Sequence, residues 1–122
     1  MSQNEKKVRT HKDLDLWKAA MKMAKKTYLT TADFPKEEIY GLTSQMRRAA
    51  VSIPSNIAEG AARQGNKEFC HFLYIALGSL AELETQWILS NDLGFNVGQS
   101  LEKDMESVRM MLLGMIRHLK ER

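Results

Sequence analysis

The chain has 122 residues, 43% of them hydrophobic and 27% charged. That is enough for one domain with one core, and too short for two ordinary domains or an enzyme with a separate cofactor domain. This apolar content also excludes disorder as the main state. Residues 1–26 hold eight Lys/Arg against three acids and the remainder ten against twelve, so the net charge of +3 belongs to the N-terminal end.

Eight methionines, many Leu and Ala, two prolines and few runs of Val, Ile and Thr favour helix over strand. A single cysteine, Cys70, leaves no internal disulfide and no cysteine-built zinc site. The first dozen residues are polar and do not read as a signal peptide. The longest near-continuous apolar run, Phe72 to Leu77, is far below the ~18 residues a membrane span needs. A cytoplasmic protein is expected.

Residues 1–12 read as a basic flexible tail and residues 13–122 as one domain. Asp13 or Asp15 is the expected cap of a first helix that ends near Thr30, ahead of Asp33 and Pro35. Its expected core seam is Leu14, Trp17, Met21, Ala24 and Tyr28, with Lys18, Lys22, Lys25 and Lys26 on the opposite face and Lys12 leading in.

A second helix is expected from about Thr43 to Arg63, between Gly41 and Gly65. Leu42, Met46, Ala49, Ile53 and Ile57 form its core seam. Val51, Pro54, Ala58, Ala61 and Ala62 form a second face of compact apolar groups, which points to contact with another subunit. Between the two runs a polar stripe, Gln45, Arg48, Ser52, Asn56, Glu59 and Arg63. Pro54 lacks the N–H that would bond the Ala50 carbonyl, so a kink is expected, or a break into two shorter helices.

Asn66 is the expected cap of a third helix that Gly94 ends, with Phe69, Leu73, Ala76, Leu80, Leu83 and Trp87 as its seam. Glu84 falls inside this apolar stripe and needs a partner; Arg47, Arg48 and Gln45 are the candidates by type. The fourth helix is expected over about Gln99 to Lys120, with Leu101, Met105, Val108, Leu112, Met115 and Leu119 inward. Steps of three and four, joined by short connections, predict an all-α, antiparallel up-down-up-down four-helix bundle with a proline-kinked second helix.

Chemistry is poorly supplied. His11, His71 and His118 belong to different elements, and no metal-binding pair such as H-E-x-x-H occurs. Arg48, Glu59 and His71 brought together across helices would be the one acid–base set. Gly60 and Gly65 lack the ending of a phosphate loop. Cys70 reads as a small buried hydrophobe, and Met105, Met110, Met111 and Met115 as core filler and subunit contact. No cofactor or metal is expected. The lysine stripe suits phosphate contacts, without interleaved aromatics to stack bases.

Residues 33–63, "DFPKEEIYGLTSQMRRAAVSIPSNIAEGAAR", and "GSLAELETQ" at 78–86 closely resemble the four-helix-bundle proteins of the rRNA intervening-sequence family; the resemblance spans about residues 13–119. It implies a bacterial, cytosolic bundle assembling as a homopentamer. It also implies likeness to the accessory proteins of diversity-generating retroelements, in which a basic pentameric barrel binds nucleic acid and a reverse transcriptase. By position, Gln45, Arg48, Ser52, Asn56, Glu59 and Glu84 match the family's polar set, and the resemblance carries over no catalytic residue. The expected function is a non-enzymatic homo-oligomer that binds RNA or other nucleic acid through Lys12, Lys18, Lys22, Lys25 and Lys26. A protein–protein adaptor and an RNA-processing enzyme are the alternatives.

Overall fold

The computed structural model describes residues 10–95 and 100–121. Tail residues Lys6, Lys7 and Arg9 and the expected helix start at Gln99 lie outside them. The described residues form four helices and no strand: α1 Asp15–Thr31, α2 Leu42–Ala61, α3 Asn66–Asp92 and α4 Glu102–Lys120.

Two expected caps are absent. Leu14, rather than either aspartate, holds the N-cap position of α1; its N–H closes a short 3-10 turn onto the His11 carbonyl at 3.0 Å, and Asp15 sits in the first turn. Gly65, not Asn66, precedes α3. The Asn66 side chain instead donates across to the Leu119 carbonyl at 3.4 Å. A side chain can cap its own helix or reach a neighbouring one, and sequence spacing does not separate the two.

Gly94 closes α3 as expected, whereas α2 already ends at Ala61 with Ala62 as its C-cap, and Gly65, its expected terminator, is the N-cap of α3. Gly65 has φ +90° and Gly94 φ +76°, a region that strains any residue with a Cβ. After α3 the Phe95 N–H bonds the Ser90 carbonyl at 2.9 Å and the Gly94 N–H bonds Asn91 at 3.0 Å. This paired arrangement satisfies carbonyls that the helix end would otherwise orphan. It turns Phe95 back onto Phe34, with ring centroids 5.6 Å apart.

The α2 seam is buried throughout, and α2 continues unbroken across Pro54, which rules out two separate helices. The α3 and α4 seams are buried apart from half-buried Phe69 and Met115. In α1 the expected seam is displaced. Met21 and Tyr28 are each 44% exposed, and the buried face is Leu16, Ala20, Met23, Ala24, Thr27 and Thr31. Two threonines disguise that face in sequence. Each satisfies its hydroxyl within the helix, Thr27 Oγ1 donating to the Met23 carbonyl at 2.9 Å and Thr31 Oγ1 to Thr27 at 2.8 Å, so burial leaves neither unpaired.

Helix α2 is central. Ser52 meets Ser79 of α3, Gly60 lies against Phe69 and Phe72, and Arg47 reaches the end of α1. Arg47 Nε donates to Thr31 Oγ1 at 2.9 Å, and its guanidinium stands 4.8 Å from the Tyr28 ring centroid. Glu38 Oε1 accepts the Leu42 N–H at 3.1 Å, which supplies an acceptor at the start of α2.

Candidate nucleic-acid and subunit surfaces

Lys18, Lys22 and Lys25 follow each other at four and three residues on the exposed side of α1, opposite its buried face. None has an ion-pair partner among the described residues. Lys26 differs: its Nζ stands 2.8 Å from Asp104 Oδ2 of α4, and both groups are partly buried. It ties α1 to α4 and is compensated where it stands. Lys12 is exposed just before α1.

Beside this stripe lies an open apolar groove of about 410 Å³ between α1 and α2. Trp17, Met21 and Tyr28 form one wall and Val51 and Ala58 the other, with Ala24 and Pro54 buried and Lys25 at the margin. The compact face of α2 therefore has divided uses. Pro54 is buried within the chain and Ala61 packs against the core, while Val51 is 42% exposed and Ala62 is exposed. Displacement of the α1 seam is what leaves the large side chains here in the open.

The polar stripe of α2 gathers on the other side. Gln45, Arg48 and Ser52 line a cleft of about 450 Å³ with Ser79 and Glu82 of α3. Ser52 Oγ and Ser79 Oγ are 2.8 Å apart, and Asn56 Nδ2 donates to both the carbonyl and Oγ of Ser52, at 2.8 and 3.0 Å. These bonds fix α2 against α3 and hold Asn56 in one orientation. Glu59 lies further along and pairs with Arg63 at the surface, 3.0 Å away.

Glu84 is not part of this cleft. Its partner is Arg109 of α4, which also reaches Glu106, and neither Arg47, Arg48 nor Gln45 bonds it. Its side chain is 25% exposed, at the edge of the α3–α4 contact rather than inside the apolar core. The sequence places Arg109 a helix away with nothing to link the two. Arg48, Glu59 and His71 are not assembled either: Arg48 faces the polar cleft, Glu59 pairs with Arg63, and His71 lines a third groove between α3 and α4.

Cys70 is buried and its thiol lies 4.0 Å from the Ile116 carbonyl. Of the four methionines grouped in sequence, Met105 is buried, Met111 and Met115 are half-buried and Met110 is exposed. Among the described residues no three His, Cys, Asp or Glu side chains are grouped to hold a metal ion, and no helix is long and apolar enough to cross a membrane.

Four helices around one core, with a basic stripe and an apolar groove side by side, define a small four-helix-bundle protein. The chain belongs to the 23S rRNA-intervening sequence protein family, whose family model matches residues 12–114. A search of curated proteins found no match.

Proposed function

We propose that the protein is a non-enzymatic homo-oligomer, pentameric as the family resemblance implies, that binds RNA or other nucleic acid through the exposed face of α1. In this reading it is a bacterial, cytoplasmic scaffold. Its helices run antiparallel in up-down-up-down order, and α2 bends at Pro54. Helix-to-helix contacts such as Ser52–Ser79, Gly60–Phe72 and Asn66–Leu119 support that order.

One observation carries the function: Lys18, Lys22 and Lys25 stand exposed without carboxylate partners among the described residues, beside an apolar groove that a monomer leaves open. A second copy covering the groove would bury Trp17, Met21, Tyr28 and Val51 and bring several lysine stripes together. Contacts each weak alone then add through effective concentration. Phosphate contacts made this way lose affinity steeply with salt.

The test is retention of structured RNA at increasing salt, alongside the native particle mass. Replacing Lys18, Lys22 and Lys25 together with Glu abolishes RNA binding and leaves the mass unchanged. Undiminished binding after that replacement removes α1 as the surface. RNA cleaved by the purified protein would remove the non-enzymatic reading.

A further inference from the structure

The end of the bundle where α3 begins and α4 finishes carries a third groove, of about 510 Å³, and its chemistry differs from the other two. That volume falls in the ~300–1,000 Å³ range of small-ligand sites. Its floor is apolar, with Cys70 and Leu119 both buried. Tyr74 stands on it 46% exposed. Lys67, His71 and Lys120 form the remaining rim, and no carboxylate among the described residues lines the groove.

We infer that this groove takes one nucleotide of a single-stranded nucleic acid, its base against Tyr74 and its phosphates on Lys67 and Lys120. The site lies apart from the lysine stripe of α1 and does not depend on it.

Three features favour this occupant. First, an apolar floor with an exposed ring suits a flat, poorly hydrated group, and every base has a face to stack. Second, two lysines on a rim that no carboxylate among the described residues lines ask for a negative charge beside that flat group, and a nucleotide carries both. Third, Tyr74 is held in place before any ligand arrives. Lys120 Nζ donates to Tyr74 Oη at 2.7 Å and stands 5.1 Å from the ring centroid, which ties α4 to α3 and fixes the ring. That hydrogen bond raises the Lys120 pKa above its ordinary value, favouring the charged form. Asn66, whose Nδ2 donates to the Leu119 carbonyl, keeps its amide oxygen as an acceptor at the groove's edge. A second copy of the chain would need an apolar ridge without cations here, and the rim of lysines and histidine disfavours it.

The test compares fluorescein-labelled oligoadenylate with a labelled RNA duplex, binding each to the full chain and following anisotropy. Tyr74→Ala weakens oligoadenylate roughly 5- to 150-fold, the range of one lost base–ring stack, and changes duplex binding by less than about twofold, because paired bases are not free to stack. Tyr74→Phe keeps the ring but loses the Lys120 hydrogen bond, and binds oligoadenylate more tightly than Tyr74→Ala. Lys67→Glu weakens oligoadenylate and steepens no duplex effect. The triple Lys-to-Glu variant of α1 has the reverse profile, so either surface can fail without the other. Helicity by circular dichroism accompanies each variant, and Tyr74→Leu, which keeps apolar bulk but has no flat ring, replaces Tyr74→Ala if the latter is unfolded and is expected to weaken oligoadenylate in the same way. The proposal is overturned if the wild type does not bind oligoadenylate, if Tyr74→Ala leaves that binding intact or weakens the duplex equally, or if Tyr74→Ala changes the particle mass, which would assign the groove to a neighbouring copy.

Discussion

Gly60 lies so close to Phe72 that a Cβ built on the glycine would stand 2.8 Å from the Cβ of Phe72, and 3.2 Å from the Phe69 carbonyl oxygen. Neither obstacle is the free end of a flexible side chain. The last turn of α2 meets α3 at this distance because residue 60 has no side chain, which gives the final glycine of the S-I-P-S-N-I-A-E-G segment a packing role. Gly60→Ala gains up to ~1 kcal/mol of helix propensity. The overpacking it forces costs about 1–3 kcal/mol, and two rigid contacts place it toward the upper end. A net loss of about 1–2 kcal/mol follows, measurable as a lower denaturant midpoint with an unchanged slope. An unchanged or raised midpoint would show that the helices separate without penalty.

Lys25 and Lys26 are neighbours in sequence with different work. Lys26 is paired with Asp104, and Lys25 borders the apolar groove without an ion-pair partner among the described residues. Lys26→Ala is therefore expected to lower stability by about 0.5–1 kcal/mol, as for a partly exposed pair, and to leave the salt dependence of RNA binding unchanged. Lys25→Ala is expected to do the opposite, with the slope of log affinity against log salt falling by about one. Equal slopes for the two variants would contradict this division.

Val51 and Trp17 face each other across the open groove between α1 and α2. An aspartate at position 51 places a charge on a half-exposed site, which a monomer tolerates and a covered interface does not. Val51→Asp is expected to leave helicity intact and shift the sedimenting species to the single chain. Tyr40, at 94% exposure, gives the control: Tyr40→Asp leaves the particle mass as it was. Retention of a full-sized particle by Val51→Asp would move the subunit contact elsewhere.

Glu84 and Arg109 join α3 to α4 at the edge of the core. Because both are partly exposed, their coupling is expected to be modest, about 0.5–1.5 kcal/mol in a double-mutant cycle of Glu84→Gln and Arg109→Met. Arg109 also serves Glu106, so Arg109→Met costs more than Glu84→Gln. Additive single effects would show that the pair contributes nothing specific.

What was legible in the sequence follows from which side chains announce their environment. The seams of α2, α3 and α4 are built from Leu, Ile, Met and Trp, and their three-four spacing identifies them without a structure. Gly65 and Gly94 likewise mark the turns, because their φ values exclude other residues. The polar stripe of α2 was visible as a stripe, but Ser79 and Glu82, which complete its cleft, lie outside its periodicity on another helix. Partners such as Arg109 for Glu84 and Asp104 for Lys26 are set by how helices abut. The groove at Tyr74 was hidden for the same reason, its cations coming from the start of α3 and the end of α4. In α1 the spacing misled: Trp17, Met21 and Tyr28 outweigh Ala20, Thr27 and Thr31 in hydrophobicity, yet the smaller residues are the ones that let α1 approach its neighbours.

Thr27 and Thr31 give that last point a quantitative form. Both are buried and both return their hydroxyls to a carbonyl four residues back. Thr31 Oγ1 also accepts from Arg47 Nε, and no such second bond is made at Thr27 among the described residues. Thr27→Val exchanges a self-satisfied hydroxyl for a methyl group in an apolar setting, and removing a local hydrogen bond costs about what the methyl returns, so stability changes by less than ~1 kcal/mol. Thr31→Val has the same local ledger and also strips a partner from a half-buried guanidinium, adding about 1–2 kcal/mol of loss. In an Arg47→Met background this added loss vanishes, because no donor remains to be orphaned. Chemical denaturation of the four variants measures the difference; equal costs for Thr27→Val and Thr31→Val would mean that Arg47 holds the end of α1 through Tyr28 alone.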